Sequence, residues 1–122
     1  MNPLVCICIP NYNNEVTLGS TLESLIAQSY DNVIIKVVDN NSSDSSAEIV
    51  RKFSALYPHV ELHSYAETVS GEQNFNRCLD IAEGEFVAVF HSDDIYHEDI
   101  IQEQVRVLER DPKAVGVSVA AN

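Results

Sequence analysis

Short apolar runs alternate with stretches of helical spacing along the whole chain, and this alternation limits the fold more than any other feature. Leu4-Val5-Cys6-Ile7-Cys8-Ile9 is a continuous apolar run closed by Pro10, as a strand buried on both faces would be. After the polar turn Asn11-Tyr12-Asn13-Asn14, Leu18, Leu22, Leu25 and Ile26 recur at helical spacing. A second strand, Val33-Ile34-Ile35-Lys36-Val37-Val38, runs into Asp39-Asn40-Asn41-Ser42-Ser43-Asp44. Ser45, with Glu48 three residues on, predicts a capping box for a helix carrying Ile49, Val50, Phe53 and Leu56 and ended by Pro58. Val60 to Tyr65 is less apolar and alternates, which suits a strand near a sheet edge. Phe75, Cys78, Leu79 and Ala82 trace a third helical stripe, with Gly84 as its stop. The run Glu85 to Phe90 predicts a buried fourth strand. Ile101, Val105 and Leu108 then mark a helix stopped by Asp111-Pro112, and Ala114 to Ala120 predicts a fifth strand.

Strand and helix in strict alternation imply an α/β domain with a mostly parallel sheet and helices on both faces. Such sheets bind ligands at the carboxyl ends of their strands. Polar clusters fall there at Pro10 to Asn14, Asp39 to Asp44 and His91 to Asp94. In the last, two adjacent carboxylates follow an apolar strand, and their mutual repulsion is relieved most simply by a divalent cation. Taken alone they suit a solvated strand end that caps the next helix equally well.

The 122 residues suffice for one domain. Nineteen acidic against seven basic residues give a formal charge of −12, a field that repels nucleic acid and anionic membrane. No apolar run approaches a membrane span, and the amino terminus lacks a secretory signal pattern. Cys6, Cys8 and Cys78 form no CxxC pair, and their odd number points to reduced thiols. A cytoplasmic protein, at most touching the inner face of a membrane, is the expectation. No glycine-rich phosphate loop is present, and the first strand does not end in the acids that a receiver domain or an aspartate-dependent phosphohydrolase requires.

Four segments in register resemble the amino-terminal, nucleotide-binding half of a family 2 glycosyltransferase with the Rossmann-like GT-A fold. They are Val5 to Asn13, Val37 to Asp44, Asn76 to Phe86 and His91 to Asp94. The resemblance implies transfer of a sugar, with inversion, from a nucleotide diphosphate sugar, typically a uridine diphosphate sugar, to an acceptor hydroxyl. It places Pro10 and Tyr12 in the base pocket, Asp39 and Asn40 on the base, and Glu15 as an added contact. Uracil presents one N–H between two carbonyls, which a carboxylate or amide oxygen can read. Asp93 and Asp94 match the family's aspartate motif, implying ribose on Asp93 and Mg²⁺ or Mn²⁺ on Asp94, shared with Asp93.

Two positions depart from the family pattern. His91 stands where aspartate is frequent, and Phe75 where a basic residue is frequent. Arg77 is two positions past Phe75, on a different side of the helix, so a phosphate contact from it is not expected. In this family the catalytic base follows the aspartate motif. Residues 1–122 are therefore expected to form the donor-binding part of a longer domain, with the base and acceptor site beyond Asn122. The rival reading is a nucleotide-binding module that transfers nothing.

Overall fold

The computed structural model describes residues 2–110. Its elements follow the expected order: β1 (Val5–Asn11), α1 (Glu15–Ile26), β2 (Val33–Asp39), α2 (Ser46–Leu56), β3 (Val60–Ser64), α3 (Gly71–Ile81), β4 (Phe86–Val89) and α4 (Ile100–Arg110). The strand expected over 114–120 and the stop at Asp111-Pro112 lie outside the described residues.

All strand pairings are parallel, in the order β3-β2-β1-β4. The chain steps outward from β1 to β3, then returns to the far side of β1 as β4. Right-handed crossovers put the helices of the outward steps on one face and that of the return on the other. The packing agrees. Val5, Ile7, Ile9, Ile35 and Val37 bury against Leu18, Leu22 and Leu25 of α1, Val50 of α2, and Ile100, Ile101 and Val105 of α4. Cys6, Cys8 and Val38, pointing the opposite way, bury against Cys78 of α3. Each fully buried aliphatic side chain contributes roughly 2 kcal/mol.

The cysteines are packing residues. All three are free and buried, with Cys6 Sγ 3.7 Å from Cys8 Sγ. The Cys8 contact and burial push the Cys6 thiol far up. For Cys8 the Cys6 contact pulls down, but the Cys78 contact and burial leave it at about 11. Both are protonated at neutral pH and poor nucleophiles. Lys36 shares this face, buried on β2; its ammonium escapes isolation by donating to the Ile81 carbonyl at 2.8 Å and to Glu83 at 2.9 Å. Burial alone would lower its pKa, but the Glu83 bond and the charges of Glu61 and Glu83 raise it.

Two local expectations are corrected. The Ser45-Glu48 box does not form, because Ser45 (φ −86°, ψ 13°) lacks the extended backbone a cap requires. Asp44 and Glu15 take over instead, accepting the amides of Ser46 (2.9 Å) and Ser45 (3.0 Å). The capping box belongs to α3, where Ser70 (φ −64°, ψ 161°) and Gln73 exchange bonds; the S-x-x-Q spacing was there to be read. Finally, β4 is only partly buried, with Val87 45% exposed. Among the described residues it pairs on one side only, with β1.

Gly84 does more than stop α3. Its φ of +88° belongs to the left-handed region, and an added Cβ would lie 2.8 Å from the Leu4 carbonyl oxygen. That oxygen accepts the amide of Glu85 at 3.0 Å, which sets the register of β4 on β1. Gly84→Ala is expected to cost about 2–3 kcal/mol, read as a drop in the urea midpoint at unchanged slope. A midpoint equal to wild type would show that the close approach is relieved without penalty.

Candidate functional site

The strand order reverses direction between β1 and β4, and open sheets leave a crevice at such a point beyond the strands' carboxyl ends. A cleft of about 450 Å³ lies there, lined by Pro10, Asn11 and Tyr12 at the end of β1, Val89, Phe90 and His91 at the end of β4, Asn40 after β2, and Gly71, Asn74 and Phe75 of α3. Pro10, Tyr12 and Asn40 are thus brought together at one cleft. Tyr12 and Phe75 are 49% and 41% exposed, leaving two aromatic rings open to solvent at the cleft. Phe75, read from sequence only as a helical-stripe residue and a departure from pattern, is a lining residue.

Asp39 lies 3% exposed at the end of β2. Its Oδ1 accepts from Asn11 Nδ2 (2.9 Å) and Ser42 Oγ (2.7 Å), and its Oδ2 from the Ser42 amide (2.9 Å). Oδ1 is saturated, whereas Oδ2 keeps one lone pair. Asn11 Oδ1 is buried without a protein partner. The strand ends therefore carry two unused acceptor positions.

Asn40 forms a two-point clip on the backbone of Val69, donating at 2.7 Å and accepting at 2.8 Å. Arg77 reinforces the clip: it donates to Asn40 Oδ1, Asn74 Oδ1 and the Glu67 carbonyl, and lies 4.1 Å over the Tyr65 ring. These bonds fix the loop leading into α3, and with it the Gly71–Phe75 wall of the cleft. Glu15 is not among the cleft-lining residues; its carboxylate accepts from Ser45, and its amide donates to Asp44 (3.0 Å). Burial disfavours the ionised form of Asp44, but its bonds from Ser46 and Glu15 outweigh this and lower its pKa.

Beyond β4, Tyr96 folds the loop upon itself. Its hydroxyl accepts from the His91 amide (2.9 Å) and donates to the His91 carbonyl (3.3 Å), while its ring stacks on Phe90 at 4.4 Å. Burial, opposed by the His91 bond and assisted by the charges of Asp94 and Asp93, pushes this phenol up to about 12. Asp93 is exposed and Asp94 half-buried. Neither forms an ion pair with a basic side chain among the described residues. Two uncompensated carboxylates suit a hard divalent cation, but no cluster of three or more His, Cys, Asp or Glu forms among the described residues. Any such ion would draw its remaining ligands from phosphate oxygens and water.

The backbone of this loop is held by one side of α1. Thr17 Oγ1 donates to the Ser92 carbonyl (3.1 Å), and Thr21 Oγ1 lies 2.6 Å from the Asp94 carbonyl and 3.0 Å from that of Ser92. Asn14 donates to Ser92 Oγ at 2.7 Å. Ser24 Oγ accepts the Tyr96 amide, and Gln28 joins the His97 carbonyl to the Ile101 amide. An irregular segment has backbone groups without ladder partners, and this stripe supplies them.

A parallel sheet covered on both faces, with a cleft at the strand reversal, defines a Rossmann-like nucleotide-binding fold of the GT-A type. The chain belongs to glycosyl transferase family 2, which it matches over residues 6–122. It is 32% identical over 105 residues to the Escherichia coli UDP-Glc:alpha-D-GlcNAc-diphosphoundecaprenol beta-1,3-glucosyltransferase WfgD, covering 86% of this chain and 41% of that one. The mannosyltransferase PcManGT from Pyrobaculum calidifontis, solved with GDP-Man and Mn²⁺, superposes with a TM-score of 0.83 at 25% identity, covering 93% of this chain and 34% of that one. TarS 1-349 from S. aureus, solved with UDP, superposes at 0.82 with 23% identity, covering 96% and 38%. The chain thus spans about a third to two-fifths of the length of these relatives.

Proposed function

We propose that this chain is the donor-binding part of a metal-dependent inverting glycosyltransferase that takes a sugar from a uridine diphosphate sugar to an acceptor hydroxyl. The observation that carries the reading is the cleft at the strand reversal, with aromatic rings on its walls and, on the adjoining loop, two carboxylates that form no ion pair among the described residues. A nucleobase is flat and apolar on its faces, so Tyr12, Pro10 and Phe75 suit it as walls. Asp39 Oδ2, with its free lone pair, would accept the uracil N–H, while Asn40 shapes the pocket. Asp93 would hold ribose hydroxyls, and Asp94, shared with Asp93, would hold Mg²⁺ or Mn²⁺. When bound, the ion offsets charge on the departing diphosphate. That role matters here because a protein of charge −12 otherwise repels its donor.

Uridine is favoured by the donor named in WfgD's description and by the UDP held in TarS, and Mn²⁺ by its presence in PcManGT. Glu15 enters the reading only through the α1-α2 brace. No catalytic base and no acceptor site are assigned within residues 1–122. A cytoplasmic location belongs to the same reading, supported by three buried free thiols. Among the described residues no helix is long and apolar enough to cross a membrane.

Calorimetric titration with UDP-glucose, with and without Mn²⁺, tests the proposal. Binding at least about tenfold tighter with Mn²⁺ is expected, corresponding to about 1.4 kcal/mol or more. GDP-mannose should bind more weakly than UDP-glucose. Donor binding indifferent to metal, or no binding, would remove the reading.

A further inference from the structure

We propose that Thr21 is a positioning residue for the acidic loop: its buried hydroxyl fixes the backbone of Ser92 to Asp94 and thereby the placement of the Asp93 and Asp94 carboxylates. The function of those carboxylates rests on the donor-binding reading above; the bracing itself does not.

Thr21 is fully buried, and its side chain faces the loop rather than solvent. A hydroxyl has one proton to give. The Asp94 carbonyl, at 2.6 Å, is nearer than those of Ser92 (3.0 Å) and Thr17 (3.3 Å), so the proton goes to Asp94. Thr17 then serves Ser92, whose side chain is held in turn by Asn14. This division satisfies the carbonyls on either side of Asp93. Asp93 and Asp94 are successive residues whose carboxylates form no ion pair among the described residues, so no cationic partner there fixes where they point and the backbone that carries them matters. Ion coordination tolerates displacements of a few tenths of an ångström, and a loop that samples several conformations spreads its ligands further than that.

Sequence spacing supports the assignment. Thr17, Thr21 and Ser24 follow one another at intervals of four and three, which puts them on one stripe of α1, and Gln28 follows just past the helix end. The apolar stripe Leu18, Leu22 and Leu25 lies beside it, facing the core. Buried threonine in mid-helix usually bonds its own preceding turn. Here the bond to Thr17 is the longest of the three, and the two shorter ones reach across more than 70 residues of sequence.

The test compares Thr21→Val, which keeps shape and removes the hydroxyl, with Thr21→Ser, which keeps the hydroxyl. Val50→Ala, on the buried face of α2 and away from the loop, controls for lost stability. In the ligand-free chain, ¹⁵N relaxation should give order parameters near the rigid value of about 0.85 for Asp93 and Asp94 in wild type, Thr21→Ser and Val50→Ala. In Thr21→Val they should fall below about 0.6. Mn²⁺-dependent UDP binding should weaken by about tenfold in Thr21→Val and stay within about threefold in the other two. Unchanged order parameters in Thr21→Val, or a loss in Thr21→Ser equal to that in Thr21→Val, would overturn the proposal. If wild type binds no UDP with Mn²⁺, the donor reading fails, and the relaxation measurements still decide the bracing.

Discussion

Replacing Asp93 and Asp94 together with alanine weakens Mn²⁺-dependent binding of UDP-glucose by about 100-fold or more, roughly 3 kcal/mol, while leaving stability within about 0.5 kcal/mol of wild type. The two effects separate because neither carboxylate is tied into an ion pair among the described residues. The contacts that hold the loop go to backbone atoms of Ser92, Asp94 and Tyr96, which alanine retains. Removing two like charges from a protein of charge −12 also relieves repulsion, so no collapse is expected. Titration of the variant beside wild type, with a thermal scan of each, checks both parts. Wild-type affinity in a folded double variant would mean that the ion, if any, is held elsewhere.

Asp39→Ala is expected to behave in the opposite way, costing about 3 kcal/mol of stability as well as uridine affinity. The carboxylate accepts three hydrogen bonds, and its removal leaves the buried Asn11 amide without its short partner. Bonds to ionised groups contribute about 1.5–3 kcal/mol each, and the penalty for a stranded buried donor adds to this. A fall in melting temperature of about 10 °C should accompany the loss. Asp39→Asn should recover most of the stability, since Asn11 can rotate its amide and offer its unpaired Oδ1 to the new N–H. Thermal scans of the two variants decide the matter: an alanine variant as stable as wild type would show that the three bonds contribute nothing net.

The difference between these residues bears on what the sequence could disclose. Pattern spacing placed the strands, because an apolar run beside a helical stripe has few alternatives. It also located the strand ends and therefore the cleft. It could not apportion roles among neighbours within a cluster. Asp39 and Asn40 are adjacent, yet the first keeps a spare lone pair while the second is spent on Val69, a contact set by the loop before α3. Glu15 reads as an ordinary first-turn acid, and its partner amide lies 30 residues away. Phase also limited the reading of Arg77: the expectation of no phosphate contact rested on rotation about the helix, and the structure assigns the guanidinium to the Asn40 clip and the Tyr65 ring. The threonines of α1 share a stripe by spacing, but the spacing alone does not disclose their task, since a polar residue beside an apolar stripe ordinarily faces water.

Helix α1 is therefore three-sided. One side packs into the core through Leu18, Leu22 and Leu25, and a second holds the acidic loop through Thr17, Thr21 and Ser24. Of its exposed residues Glu15 is tied to the Ser45 amide, which leaves Val16, Ser20 and Glu23 as an exposed third side. Tolerance to substitution in α1 should consequently follow a narrow strip one residue wide per turn. Two different pressures, one for volume and one for a single hydroxyl, shape the rest.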